Sequence, residues 1–190
     1  MDKGLDAGVE LAQQGNHEAF RLLMEQHARA VYKVAYRMSG NQQDAEDLTQ
    51  ETFLRGWKHI GRFDGRATFA TWLYRICSNC ALDHHRSSGR RPAGVRTAWV
   101  NDEAILDRVV SGAPSPERLA GSSQVAAMLG PAMRELSGME RVAFVLRHYE
   151  GVPVESIART LGIREGAAKH AVFRAVQKIR RVLEPAVSTK

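Results

Sequence analysis

The sequence predicts an all-α protein made of two small helical domains joined by a flexible linker. Three observations predict it. Apolar residues recur at three- and four-residue steps over most of the chain, with no convincing run of strict alternation. That periodicity fails from about Gly89 to Ser122, where Ser111-Gly112-Ala113-Pro114-Ser115-Pro116 and Gly121-Ser122-Ser123 concentrate turn and linker residues. Helical spacing then resumes and ends in a short helix, a Gly turn and a long basic helix. The expected division is residues 8–91, a linker over 92–122, and a second domain over 123–184.

The elements follow in order. Asn16 can cap a helix whose positions Phe20, Leu23, His27, Val31, Val34 and Met38 share one face, and Ser39-Gly40-Asn41 ends it with residues that tolerate a left-handed turn. The next helix opens with Asp44, Glu46 and Asp47, where negative charge favours the helix dipole, and buries Ala45, Leu48, Phe53, Trp57 and Ile60. Gly61–Arg66 reads as a loop. A third helix starts near Thr68, places Phe69, Trp72, Leu73, Ile76 and Cys80 on one side, and runs out at Ser87–Pro92. These faces are enough for a compact bundle. The linker holds a possible short helix around Asp102–Val110. Beyond it, helices are expected over Val125–Leu136, Met139–Tyr149, Val154–Leu161 and Glu165–Leu183, with a start or kink at Gly130-Pro131 because an interior proline loses a hydrogen bond.

Charge is unevenly spread. The 190 residues carry a net charge of +6 and a sequence pI near 9.7. Arg86, Arg90, Arg91 and Arg96 follow one another without an intervening acid, and Arg164–Arg181 holds its basic residues against Glu165 alone. Two separate basic segments favour a polyanion, of which nucleic acid is the commonest. Residues 44–51 do the reverse: Asp44, Glu46, Asp47 and Glu51 without a base. An acidic face in a basic chain suits a protein partner better than DNA. No apolar run is long enough to span a bilayer, so no membrane insertion is expected. The first residues lack a signal-peptide pattern, and two cysteines without an export signal point to the cytoplasm.

Pro153–Ile163 followed by Glu165–Arg181 has the shape of a helix-turn-helix. Ile157, Ala158 and Leu161 line the short helix, Gly162 permits the turn, and Ala168, Val172, Ala175 and Ile179 line the long one. The opposite face presents Lys169, His170, Phe173, Arg174, Gln177 and Lys178: donors for base edges, cations for phosphates, and a ring for a thymine methyl. The plainer alternative is a helical hairpin with a solvated basic face. The helix from Phe69 to Arg86 is aromatic at its start and basic at its end, a mixture that suits unstacked bases, although Phe69 and Trp72 at that spacing also fit a core. Cys77 and Cys80, with His84 and His85 beyond them, could hold zinc or form a redox pair; without a second ligand pair elsewhere, two small residues on a buried face is the simpler account. A Gly-rich phosphate loop, a nucleophile elbow and a His-Glu-x-x-His pair are all absent from the sequence, so no enzyme activity and no cofactor are expected.

At these residues the chain resembles the extracytoplasmic-function sigma factors of bacterial RNA polymerase, over roughly residues 16–91 and 124–183. Asp44–Trp57 is similar to the family's DAEDLTQ-x-x-F-L-x-x-W helix. Thr71–Ile76 with Asn79 and Asp83 is similar to its TWLYRI-x-x-N-x-x-x-D helix, and the helix-turn-helix to its second promoter-reading domain. The resemblance implies sigma domain 2 as a three- to four-helix bundle and sigma domain 4 as the helix-turn-helix. It implies polymerase core as partner, at the β′ clamp helices and the β flap, with Asp47, Gln50, Glu51 and Leu54 as the contact. It implies a −10 reader that captures a flipped base, at Phe63, Asp64, Phe69, Trp72, Asn79, Asp83 and Arg86. It implies a −35 reader at Arg164, Lys169, His170, Phe173, Arg174 and Lys178, a linker passing toward the RNA exit channel, and an anti-sigma factor as regulator. One departure matters. Where the family has Gly-Thr-Val-Lys-Ser-Arg, this chain reads Gly166-Ala167-Ala168-Lys169-His170-Ala171, so the family's common −35 sequence does not carry over. The alternatives are a free-standing helix-turn-helix regulator and a metal or thiol sensor on Cys77 and Cys80.

Overall fold

A computed structural model describes residues 3–88 and 129–187 of the chain. The first part holds α1 (Lys3–Gln13), α2 (His17–Ser39), α3 (Gln42–His59), a 3-10 turn (Ile60–Arg62) and α4 (Phe69–Ser88). The second holds a helical stretch at 129–134, then α5 (Gly138–Phe144) continued by a π turn (Val145–Tyr149), α6 (Val154–Leu161) and α7 (Glu165–Val187). The described residues contain no strand. The expected linker, its short helix around Asp102–Val110, and the first part of the helix beginning at Val125 lie outside the described residues.

Local chemistry sets the boundaries. The Asn16 side chain accepts the Ala19 amide at 3.0 Å, and Gly40 ends α2 at φ 85°, a left-handed conformation that costs glycine nothing. Asn41 then caps α3: its Oδ1 accepts the Asp44 amide at 2.8 Å while its Nδ2 donates to the Asp44 carboxylate. The third helix therefore begins two residues before Asp44. Of the three acids expected in its first turn only Asp44 lies there, and Glu46 and Asp47 fall in the second. In the second half, Ser137 and Glu140 close a reciprocal capping box on α5. The expected helix Met139–Tyr149 changes pitch after Phe144, and Gly162 makes the α6–α7 turn at φ 65°.

The N-terminal helix α1 was not legible in the sequence. Gly8 lowers its propensity, and eleven residues are too few to hold a helix alone. Burial makes it: Val9 and Ala12 are buried, and Gly8 faces Leu23 of α2. Gln13 at its end donates to the carbonyls of Ile60, at 3.1 Å, and Phe63, at 2.8 Å.

The core of the first part is made where α2, α3 and α4 meet, by Val31, Val34, Met38, Ala45, Leu73 and Cys77. Trp57, expected in this core, is only partly buried and lies against the rings of His17 and Phe20. His27 packs on Phe69, and burial pushes its pKa down, so the ring stays neutral among apolar neighbours. The second core is built from Val142, Val145, Leu146, Ile157, Ala168 and Ala175.

The two helical units touch. Helix α4 packs against α5 and α6, and α2 meets α5 and the π turn. Arg141 reaches from α5 to the Met38 carbonyl at 3.3 Å, sharing it with His85 Nε2 at 3.1 Å. Arg37 pairs with Glu150 at 3.0 Å and lies 4.2 Å over the Tyr149 ring.

Candidate polymerase and nucleic-acid interfaces

Helix α3 presents its acids and its apolar edge to opposite sides of one stripe. Asp47, Gln50 and Leu54 are exposed and recur at three- and four-residue steps, so they face the same way. Leu54 is 59% exposed, which is unusual for leucine beside an otherwise buried helix face. It edges a groove of about 580 Å³ between α2 and α3, whose walls include Phe20, Met24, Gln50, Phe53 and Trp57. Glu51 is half-buried and donates less free charge than Asp47, because Arg55 holds it at 2.6 Å and at the same time reaches Asp83 on α4 at 3.1 Å. The stripe thus offers a carboxylate, an amide and a leucine side by side, a mixture suited to another protein.

The loop after the 3-10 turn and the start of α4 bring aromatic rings together. Phe63 stands edge-on to Phe69 at 5.6 Å and lies 5.5 Å from Trp72, while Phe69 and Trp72 are 5.4 Å apart. The three rings do not share one exposure. Phe69 is only 2% exposed, so its expected place in base contact is corrected: it is buried between His27 and the other two rings and serves as the platform they rest on. Phe63 and Trp72 are partly exposed, and Asp64 is fully at the surface. Farther along α4, Asn79, Asp83 and Arg86 are all exposed on the side away from Leu73 and Cys77. Asp83 is tied to Arg55 and, at 3.5 Å, to Arg86.

The basic helix α7 divides as its spacing predicts. Ala168, Ala175 and Ile179 are buried, Ala171 joins them, and Arg164, Lys169, His170 and Arg174 are exposed. Phe173 is 61% exposed, and nothing in the fold covers it. Lys169 pairs with Glu165 at 2.7 Å across one helical turn. Arg174 and Lys178 are partly committed elsewhere: their nitrogens lie 3.0 and 2.8 Å from the buried carboxylate of Glu140. Burial alone would push that carboxyl up. The hydrogen bonds from Lys178, from the Ser137 amide and from Arg174 together hold it at about 2. Sequence reading missed Glu140, although its place three residues after Ser137 marks a capping box.

Cys77 and Cys80 are both buried and free. Burial pushes the Cys77 thiol up to about 12, against a smaller pull from a hydrogen bond with Thr52, and raises the Cys80 thiol as well. A thiol in that state is a poor nucleophile. No group of three or more His, Cys, Asp or Glu placed to hold a metal occurs among the described residues.

Known proteins share this arrangement. The family model for Sigma-70 region 2 matches residues 23–91, and that for Sigma-70, region 4 matches residues 127–179. The RNA polymerase sigma-H factor of Pseudomonas aeruginosa is 32% identical, with 93% of this chain and 92% of that protein aligned. The ECF RNA polymerase sigma-E factor of Salmonella typhimurium is 30% identical over 94% of each. This chain belongs to the extracytoplasmic-function RNA polymerase sigma factors. The ECF RNA polymerase sigma factor SigE of Mycolicibacterium smegmatis is 40% identical over 83% of this chain, which spans 59% of that longer relative. The fold agrees with solved sigma factors: CnrH in complex with the cytosolic domain of CnrY (TM-score 0.63, 24% identity, 94% and 96% covered), and RpoE with the anti-sigma factor NepR from Bartonella quintana (TM-score 0.60, 21% identity, 87% and 96% covered). As an alternative sigma factor the protein directs RNA polymerase core enzyme to specific promoters and assists opening of the −10 region. The family decides against a free-standing helix-turn-helix regulator.

Proposed function

We propose that this sigma factor divides its work among three surfaces. The α3 stripe of Asp47, Gln50, Glu51 and Leu54 docks on the β′ clamp helices of core polymerase. Phe63, Asp64, Trp72, Asn79, Asp83 and Arg86 read and hold the opened −10 strand, with Phe69 supporting them from below. Arg164, Lys169, His170, Phe173, Arg174 and Lys178 face the −35 duplex, and the second unit also meets the β flap. The domain limits are 8–91 and 123–184, with 92–122 joining them. Strand opening rests on capturing exposed bases, so the protein has no catalytic activity of its own. It works in the cytoplasm, and an anti-sigma factor holds it inactive, as the titles of its structural neighbours describe for those proteins. No helix among the described residues is long and apolar enough to cross a membrane.

The observation that carries the reading is the separation of charge. The exposed acid and leucine of α3 stand on one element, and the free cations and exposed ring of α7 on another. Asp47→Arg combined with Glu51→Arg tests it. The double variant should fold, since both side chains reach the surface, yet lose co-purification with core polymerase and promoter-specific transcription while keeping duplex binding through α7. If it still assembled with core enzyme and initiated at the same promoters, the docking assignment would fall.

A further inference from the structure

The seam between the two helical units is built with polar groups that match one another. Met38 lies in the last turn of α2, whose final carbonyls have no partner within the helix. Its carbonyl takes the Arg141 guanidinium from the other unit, a cation placed at the negative end of a helix dipole. Arg141 also donates to Met133 of its own unit at 3.1 Å, so it is held in place from behind. One residue before Met38, Arg37 pairs with Glu150 and covers Tyr149. The Tyr74 hydroxyl of α4 hydrogen-bonds the same carboxylate. The Glu150 side chain is only 13% exposed. Behind these contacts the His85 ring lies where a Cβ on Gly138 would come within 3.1 Å of it, so the helices approach closely.

A sigma factor that reads both promoter elements has to spread out. The −35 and −10 elements are about 25 base pairs apart, which is roughly 85 Å of duplex at 3.4 Å per step. A compact chain of this length has a radius of gyration of about 16 Å. With its two units in contact, the protein cannot reach both elements. Residues 89–128 have a fully extended reach of ~130 Å, enough to span the gap once the seam parts.

We propose that Arg37, Tyr74, Glu150 and Arg141 form an intramolecular latch that holds this sigma factor closed, with its promoter-reading units too near each other to engage both elements, until core polymerase draws them apart. The inference goes beyond the assignment of docking surfaces, because none of the four residues belongs to them. The seam is suited to reversible use. Burial pushes Glu150 up despite Arg37 and Tyr74 beside it, so release to water relieves a desolvated charge. Every latch group is polar or charged and finds water when the seam opens.

Charge reversal tests the latch. Arg37→Glu and Glu150→Arg should each raise the radius of gyration of the free protein measured by small-angle X-ray scattering, and Arg37→Glu with Glu150→Arg together should return it to the wild-type value. Because only the open form is competent, the single variants should also half-saturate core polymerase at a lower concentration. The expected change is several-fold, up to about tenfold, or about 1.4 kcal/mol, and the double reversal should cancel it. Glu150→Gln, with helix content checked by circular dichroism, separates latch loss from misfolding. The proposal is overturned if the wild-type protein is already extended, if the single variants stay as compact as wild type, or if they extend without tighter core binding. Failure of the sigma reading itself would look different: no form, wild type included, would bind core enzyme, while scattering would still report the seam.

Discussion

Glu140 shows how one side chain can do three things. It completes the capping box of α5, sits 6% exposed beneath α7, and holds Arg174 and Lys178 on the recognition helix. Replacing it with glutamine removes the charge from both pairs while keeping an acceptor. The expected cost is about 1–3 kcal/mol in denaturant unfolding of the second unit. The pH dependence follows from the sign of the shift. A carboxyl at about 2 when folded, against 4.5 for the free group, contributes stability fully above pH ~5. That contribution is lost as the pH falls through 4.5 toward 2. Glu140→Gln should therefore flatten the acid limb of the stability profile over that window, and an unchanged limb would contradict the assignment. The same carboxylate fixes two cations beside Phe173 and so sets how the recognition helix presents them.

At the scale of elements, the recognition helix carries the sharpest test. Lys169→Ala removes a phosphate-directed cation, and duplex binding should weaken about equally on all sequences, with the salt slope falling by about one. His170→Ala or Phe173→Ala should instead change which −35 sequence is preferred, because a base edge and a thymine methyl are what those side chains can read. Fluorescence anisotropy against salt, on a matched and a mismatched duplex, separates the two outcomes. Most elements were legible in the sequence for physical reasons that were local. Asn16, Gly40 and Gly162 mark ends by chemistry that acts within a turn, and the apolar steps of α2, α4 and α7 record which face is buried. What escaped was not local. Helix α1 exists because Val9 and Ala12 find α2, the start of α3 was set by Asn41 and not by the acids after it, and Phe69 was drawn under its neighbours by packing. Aromatic periodicity alone does not say which of three rings faces water.

At the scale of the whole molecule, the charge pattern told partner from partner. A basic chain with one acidic stretch asked for a protein as well as a polyanion, and the structure places the two on separate elements. What no spacing in the sequence could show was that the units pack on each other. Arg37, Glu150 and Arg141 are far apart in the chain and unremarkable in composition, and only their meeting at the end of α2 gives them a role. The coupling between Glu51, Arg55 and Asp83 is of the same kind, since it ties the docking stripe to the −10 helix across two elements.

The account rests on promoter-directed initiation by core polymerase carrying this chain. In vitro transcription on fragmented genomic DNA, with start sites mapped at nucleotide resolution, measures that directly. The account predicts a limited set of start sites, absent with core enzyme alone and lost with the Asp47→Arg, Glu51→Arg variant, each preceded by shared −10 and −35 sequences at a fixed separation. Transcripts no different from those of core enzyme alone would contradict it.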